Sequence, residues 1–279
     1  MMQSQSNPIH ATRQPLIMGV VNVTPDSFSD GGFFFSTENA IKQARKLIEE
    51  GADILDVGGE STRPGSLPVS VDEELRRVIP VIEALAGEKT LISVDTSKPE
   101  VMRQAIIAGV DIINDVNALR NSGALAVLAE NDRVLACLMH MQGCPASMQN
   151  NPTYHNIVQE VYDFLEERIQ LITTLGVARD RLIIDPGFGF GKTLQHNFEI
   201  LNNLEYFTRL QTPLMVGISR KSMLGAVTGN PANRRIHESV AAALIAVNNG
   251  ARIVRVHDVK ATKDALSFYC AVQKNNDIK

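Results

Sequence analysis

The sequence predicts a single-domain (β/α)8 barrel, the TIM-barrel class, and three observations lead there. Short aliphatic runs rich in β-branched residues recur along the whole chain, each too short for a helix and suited to a strand buried on both faces. Helical patterns separate these runs, so strand and helix alternate from end to end. A polar residue able to do chemistry follows nearly every run, which is where a barrel places its active site.

The eight runs are Leu16 to Val21, Ile54 to Val57, Leu91 to Val94, Ile112 to Ile113, Val134 to Leu138, Leu182 to Ile184, Leu214 to Val216 and Ile253 to Val256. Helical periodicity lies between them, as in Glu38 to Glu50, Glu73 to Leu85, Pro99 to Ala108, Asn156 to Leu175, Phe198 to Leu204 and Glu238 to Asn248. Ser36 or Thr37 is placed to cap the helix opening near Glu38, and Gly51 follows its last periodic residue. Pro99 occupies a first-turn position, while Gly87 and Gly109 close their helices. A doubly wound open sheet also alternates strand and helix, but eight regular units favour the barrel.

A chain of 279 residues with 44% apolar content can bury one large core, and no repeat, low-complexity tract or proline-rich linker marks a boundary within it. Residues 1–14 are expected to form a flexible N-terminal arm, 15–274 the barrel and 275–279 a polar tail. The formal net charge of -4 gives no basic excess for a nucleic-acid backbone or an anionic membrane. No apolar run approaches the roughly 20 residues of a membrane span, and the first fourteen residues lack the apolar stretch of a signal peptide. Three cysteines, Cys137, Cys144 and Cys270, show no paired spacing, which points to a reducing, cytoplasmic setting.

The strand ends carry Asn22, Asp56 with Glu60 to Arg63, Asp95, Asn114 with Asp115, His140 with Gln142, Asp185, Ser219 to Lys221, and Arg255 with His257. Any one of these alone reads more simply as a helix cap or a solvated loop residue. Convergence of all eight does not. Carboxylates, asparagines and a lysine suit a flat hydrogen-bonding heterocycle, while Arg63, Arg220 and Arg255 can offer fork-shaped donors to phosphate. There is no zinc-ligand spacing and no nucleophile elbow, which disfavours a carbonyl hydrolase.

The run from Pro186 to Thr193 ends in Gly-Lys-Thr after a strand, much like a phosphate-binding P-loop. Its first position is Pro186 rather than glycine, and Phe188 and Phe190 stand where small or polar residues normally wrap the phosphates. Glycines here more simply let the backbone pass close beneath a flat ligand.

Taken together these segments resemble the dihydropteroate synthase family over almost the whole chain. The shared motifs are NVTPDSFSDGG from Asn22, GGESTRPG from Gly58, DTSK from Asp95, IND from Ile113, MHMQG from Met139, DPGFGFGK from Asp185, SRKS from Ser219 and RVHD from Arg255. The resemblance implies condensation of 6-hydroxymethyl-7,8-dihydropterin diphosphate with p-aminobenzoate, giving 7,8-dihydropteroate and pyrophosphate, with Mg2+. It assigns Asp95, Asn114, Asp185 and Lys221 to the pterin edges and Arg255 to its face. Thr62, Arg63 and His257 go to the diphosphate, with Asn22 as the magnesium contact. It places p-aminobenzoate against Phe28, Thr62, Arg63, Pro64, Lys221 and Ser222. It further implies an SN1-like displacement in which Asp30 and Asp95 face the developing cation and Arg63 and Lys221 complete the catalytic set.

Departures are few: Phe33 to Phe35 form a bulkier run than the pattern requires, and Asn117 follows the IND motif where a smaller residue is usual. A pterin-dependent methyltransferase shares the pterin-binding Asp and Asn positions but has no need of NVTPDSFSDGG and ESTRPG. A catalytically silent pterin binder would not need Asn22, Asp95, Arg63 and Lys221 together. Similar proteins are dimers, and an apolar stripe on the last helices including Leu266, Phe268 and Tyr269 is a candidate interface.

Overall fold

The computed structural model describes residues 9, 12, 14–23, 33–62 and 65–276. Among them, eight strands and nine α-helices alternate in the order β1 (Leu16–Asn22), α1 (Phe33–Glu49), β2 (Ile54–Gly58), α2 (Val71–Leu85), β3 (Leu91–Asp95), α3 (Pro99–Ala108), β4 (Ile112–Asp115), α4 (Ala124–Ala129), β5 (Leu135–Met139), α5 (Ile157–Thr174), β6 (Leu182–Asp185), α6 (Leu194–Asn202), β7 (Met215–Val216), α7 (Ser222–Thr228), α8 (Ile236–Asn248), β8 (Ile253–Val256) and α9 (Val259–Asn276). The strands are parallel and ordered β6-β5-β4-β3-β2-β1-β8-β7. A parallel bridge between Ile184 and Leu214 joins β6 to β7, and the Ile184 amide donates to the Pro213 carbonyl at 2.9 Å, which brings the two ends of the sheet together. This is the predicted barrel, with each strand within two residues of its predicted start.

Period-two alternation divides the strand residues between two environments. One set, including Val21, Leu55, Val57, Ile92, Val94, Ile113, Leu138 and Val254, packs against the helices in the large outer core. The other set turns into the barrel, where Met18, Ile54, Ile112, Leu135, Cys137, Ile183, Met215 and Ile253 form an apolar floor. Ile9, from the segment expected to be a loose arm, is fully buried in that floor, and Arg252 donates to the carbonyls of Ile9 and Thr12.

Helix signals are partly confirmed. Pro99 opens α3, Gly109 closes it in the left-handed region at φ 107°, and Ser70 caps α2 by accepting from the Glu73 amide at 3.2 Å. The first helix differs: it opens at Phe33, so Ser36 and Thr37 lie inside it and do not cap it. Gly31 and Gly32 are the last helix-breaking residues before it, and the helix takes up the chain directly after them. The Phe198 to Leu204 pattern is likewise displaced. Its helix starts at Leu194 behind a Thr193 cap, and Leu204–Leu210 is a 3-10 helix.

Candidate active site

The inward positions of the strands change from apolar to polar as they approach the carboxyl ends. Asn22, Gly58, Asp95 and Asn114 lie in one register row across β1 to β4. One step deeper, Asp56 is fully buried and gathers three donors. Ser93 Oγ donates at 2.6 Å, Asn114 Nδ2 at 3.1 Å and Arg255 Nε at 2.6 Å. The same guanidinium donates from Nη2 to Asp95 at 2.8 Å. Arg255 is thereby fixed in plane between two carboxylates, as a fork-shaped donor can be and an ammonium cannot.

Burial pushes the Asp95 carboxyl up to about 7; Arg255 opposes the shift, and the Asp56, Glu74 and Asp115 carboxylates add to it. Asp185 at the end of β6 is also raised by burial, against the pull of Lys221, the Gly187 amide at 2.7 Å, Lys192 and Arg255. Lys221 is pushed down to about 8 by burial, with Asp185 holding it up. Its Nζ donates to the Phe188 carbonyl and lies 4.6 Å from the centre of the Phe190 ring. The mouth of the barrel therefore presents paired acceptors and donors whose charged forms are held under tension by low dielectric.

The segment that carries Lys221 is braced from outside. Arg220, with φ 60°, forms a fork with Asp258 at 3.0 and 2.5 Å. Arg235 donates to the carbonyls of Arg220 and Lys221 at 2.9 and 3.1 Å. Its guanidinium passes so close to Gly225 that a Cβ there would lie 2.1 Å from Nη2. Arg220, read from the sequence as a phosphate donor, is thus committed to Asp258. Ser222 stands exposed at the first turn of α7 beside Lys221. His257 Nδ1 lies 3.0 Å from Ser219 Oγ.

Thr62 lines a polar cleft shared with Asp95, Thr96, Lys98, Asn117 and Cys144. Its wall holds a cluster the sequence reading passed over: Lys98 Nζ donates to both Glu60 and the buried Glu74. Glu60 also accepts from the Val69 amide at 3.2 Å, which ties the two ends of the 60–69 loop together. Phe28, Asp30, Arg63 and Pro64, all expected at the site, lie outside the described residues. Asp115 turns away from the mouth and caps the Asn117 and Leu119 amides at 2.7 and 2.8 Å. Gln142 pairs with the Thr153 backbone. Asp56 was visible in sequence as a strand residue, but its role as the common acceptor requires three other strands.

The Gly-Lys-Thr segment is not a nucleotide loop. Lys192 is 3% exposed and its Nζ is surrounded by acceptors of the protein itself. Thr193 accepts from the His196 amide and caps α6 in a reciprocal capping box.

A description of the pterin binding enzyme family matches residues 18–257, and the chain belongs to that family. It is 51% identical over 258 residues to a dihydropteroate synthase of Haemophilus influenzae, covering 92% of this chain and 94% of that one. Dihydropteroate synthase from Xanthomonas albilineans, solved with 4-aminobenzoic acid, superposes with a TM-score of 0.88 at 50% identity, covering 94% of each chain. The Yersinia pestis enzyme in complex with a sulfonamide drug superposes with a TM-score of 0.89 at 45% identity, covering 94% of this chain and 95% of that one. Within the pterin-binding enzymes, then, the chain stands among the dihydropteroate synthases, transferases of folate biosynthesis.

Proposed function

We propose that the chain joins 6-hydroxymethyl-7,8-dihydropterin diphosphate to p-aminobenzoate at the mouth of this barrel by an SN1-like displacement. The observation that carries this is the linked set Asp95, Arg255, Asp56 and Asn114 facing Asp185 and Lys221. The C–O bond between the pterin methylene and the diphosphate breaks, and its electron pair leaves with pyrophosphate. The aromatic amine nitrogen then forms the C–N bond and gives up a proton.

An aromatic amine is a weak nucleophile, so the residues act mainly on the departing and developing charges. Asp185 accepts from the pterin amino and ring N–H groups, Lys221 donates to the ring, and Arg255 lies against its face. Asn114, with Nδ2 engaged by Asp56, offers its amide oxygen. Asp95, joined by Asp30, stabilises the methylene cation, while Thr62, Arg63 and His257 receive the diphosphate. Phe28, Pro64 and Ser222 complete the p-aminobenzoate pocket with Thr62, Arg63 and Lys221.

Asn22 offers the hard neutral oxygen that Mg2+ accepts, and among the described residues no group of three His, Cys, Asp or Glu could cage a metal alone. That donor set fits an ion shared with a substrate diphosphate. When bound, Mg2+ supplies charge neutralisation on the leaving pyrophosphate.

The setting is the cytosol, where Cys137, Cys144 and Cys270 remain free thiols; no helix among the described residues is long and apolar enough to cross a membrane. The assembly is a homodimer through the outer faces of α7 to α9. Phe268, 75% exposed, stands there with the exposed Val227, Ile236 and Ile245, while Leu266 belongs to the core. The decisive assay is pyrophosphate release from the pterin diphosphate. It should depend on p-aminobenzoate, and release that ignores p-aminobenzoate would overturn the reading.

A further inference from the structure

The turn after β6 carries the Gly-Lys-Thr sequence of a phosphate loop, yet its lysine is deeply enclosed by the protein. Lys192 Nζ lies 2.9 Å from His140 Nδ1, 2.9 Å from the Gly187 carbonyl and 3.0 Å from the Phe190 carbonyl, with the His140 carbonyl at 3.3 Å. Protein groups thus surround the Lys192 amine, and burial pushes its pKa well below the usual lysine range, with Asp185 pulling it back up and Lys221 adding to the fall. Burial first, then Lys192 and Arg120, hold His140 down at about 2, so its ring stays neutral.

The carbonyls that Lys192 grips belong to residues that also set the site. Gly187 donates its amide to Asp185 at 2.7 Å. Phe190 presents its ring to the Lys221 ammonium, and the intervening Phe188 carbonyl accepts from Lys221. The turn is pressed against the β5 loop, where a Cβ on Gly187 would lie 1.9 Å from the His140 carbonyl and one on Gly191 2.5 Å from that of Gln142. Both glycines have positive φ, 72° and 60°, so no other residue could make this approach without strain.

We propose that Lys192 is a positioning residue for the pterin end of the site: a buried amine that fills the turn after β6 and bonds to its carbonyls. By holding the Gly187 and Phe190 carbonyls it sets the spacing between the Asp185 carboxylate and the Lys221 ammonium. The inference rests on Asp185 and Lys221 being the pterin contacts.

Lys192→Met keeps the stem and removes the amine. Calorimetry on the folded variant, verified by circular dichroism, should show a phosphate-free dihydropterin binding at least about tenfold more weakly, as expected when a buried hydrogen-bond network is broken. Magnesium pyrophosphate, bound from other strand ends, should retain its affinity. A variant with lowered Tm and unchanged dihydropterin affinity would make Lys192 merely structural and overturn the inference. Should Lys192→Met not fold, His140 decides: Asn there keeps a hydrogen-bonding partner for the amine and Leu does not, so His140→Leu should bind the pterin more weakly than His140→Asn, and equal affinities overturn the inference. Asp185→Asn separates the two levels. Loss of pterin affinity in Asp185→Asn without loss in Lys192→Met defeats this inference alone, whereas no loss in Asp185→Asn defeats the pterin assignment and this inference with it.

Discussion

Arg255 Nε lies 2.6 Å from Asp56 Oδ2, joining β8 to β2 across the strand that separates them. Asp56 has no exposure, so this carboxylate cannot be replaced by solvent. Asp56→Asn should leave the fold in place but exchange the charged common acceptor of Arg255 and Asn114 for a neutral amide oxygen. A buried hydrogen bond to a charged group is worth about 1.5 to 3 kcal/mol, which is roughly a ten- to hundredfold loss of dihydropterin affinity. Calorimetry with a phosphate-free dihydropterin measures it; wild-type affinity would mean that Asp95 alone positions the guanidinium.

Asp185→Asn replaces two acceptor oxygens by one acceptor and one donor, in a pocket where the Gly187 amide already donates and the Lys221 charge acts on the carboxylate. Pterin affinity should fall by about ten- to hundredfold, on the same hydrogen-bond scale, with p-aminobenzoate affinity little changed. Parallel titrations with the two ligands test the assignment, and equal losses for both would move Asp185 out of the pterin pocket.

The barrel and much of its mouth were legible because strands buried on both faces leave an apolar run that stops where the chemistry begins. Asp95, Asn114 and Asp185 each end such a run. Asp56 was harder to read, since it lies inside the Ile54 to Val57 run and its meaning comes from Ser93, Asn114 and Arg255 on other strands. Lys192 was hidden by a local pattern that matches a nucleotide loop, while the group that explains it, His140, is 52 residues away. Arg220 was misread for the same reason, because its partner Asp258 follows a different strand. Residues whose roles are set along one strand were visible, and those set across the barrel were not.

The rate should have a narrow pH optimum. The proposed mechanism needs Asp95 ionised to face the cation and Lys221 protonated to donate, and burial works against both forms, moving Asp95 up to about 7 and Lys221 down to about 8. Activity therefore rises as pH passes about 7 and falls beyond about 8, a bell whose acid limb Asp95→Asn should remove. The stability signs are opposite to the catalytic ones. Asp95, raised above its unfolded value of 3.8, contributes stability that is complete below that value and lost as pH rises through about 7. Lys221, depressed from 10.5, contributes stability present above that value and lost as pH falls through about 8. A flat kcat/KM profile over about pH 6 to 9 would rule out this pair as the groups in control.

His257 is oriented by Ser219 Oγ at 3.0 Å from Nδ1, on the strand end beside Arg255. His257→Ala should depress kcat by about a hundredfold, the scale of losing one donor to a developing negative charge. Binding of a pterin without phosphates should be unaffected. If that binding weakens in step with kcat, His257 serves the ring and not the diphosphate.

The residues proposed to receive the diphosphate also predict an order of binding. Asn22 ends β1, Thr62 follows β2 and His257 follows β8, so a single polyanion must gather groups from three separate strand ends. The segments that continue from the first two carry Phe28 and Pro64, which the family resemblance gives to the p-aminobenzoate pocket. Fixing a backbone residue costs about 1 to 2 kcal/mol, and the glycines of these segments, Gly31, Gly32 and Gly65, raise that cost, whereas Gly58 is already fixed as the last residue of β2. Pyrophosphate with magnesium can offset it by bridging Asn22, Thr62, Arg63 and His257, which would complete the aromatic pocket at the same time. We therefore expect p-aminobenzoate to bind weakly to the free protein and at least about tenfold more tightly in saturating magnesium pyrophosphate, within the usual range of coupling between sites. The coupling must be reciprocal, so p-aminobenzoate should tighten pyrophosphate binding by the same factor. Two calorimetric titrations of each ligand, with and without the other, provide the test. Equal affinities in both arms would show a preformed pocket and remove ligand-driven assembly from the mechanism.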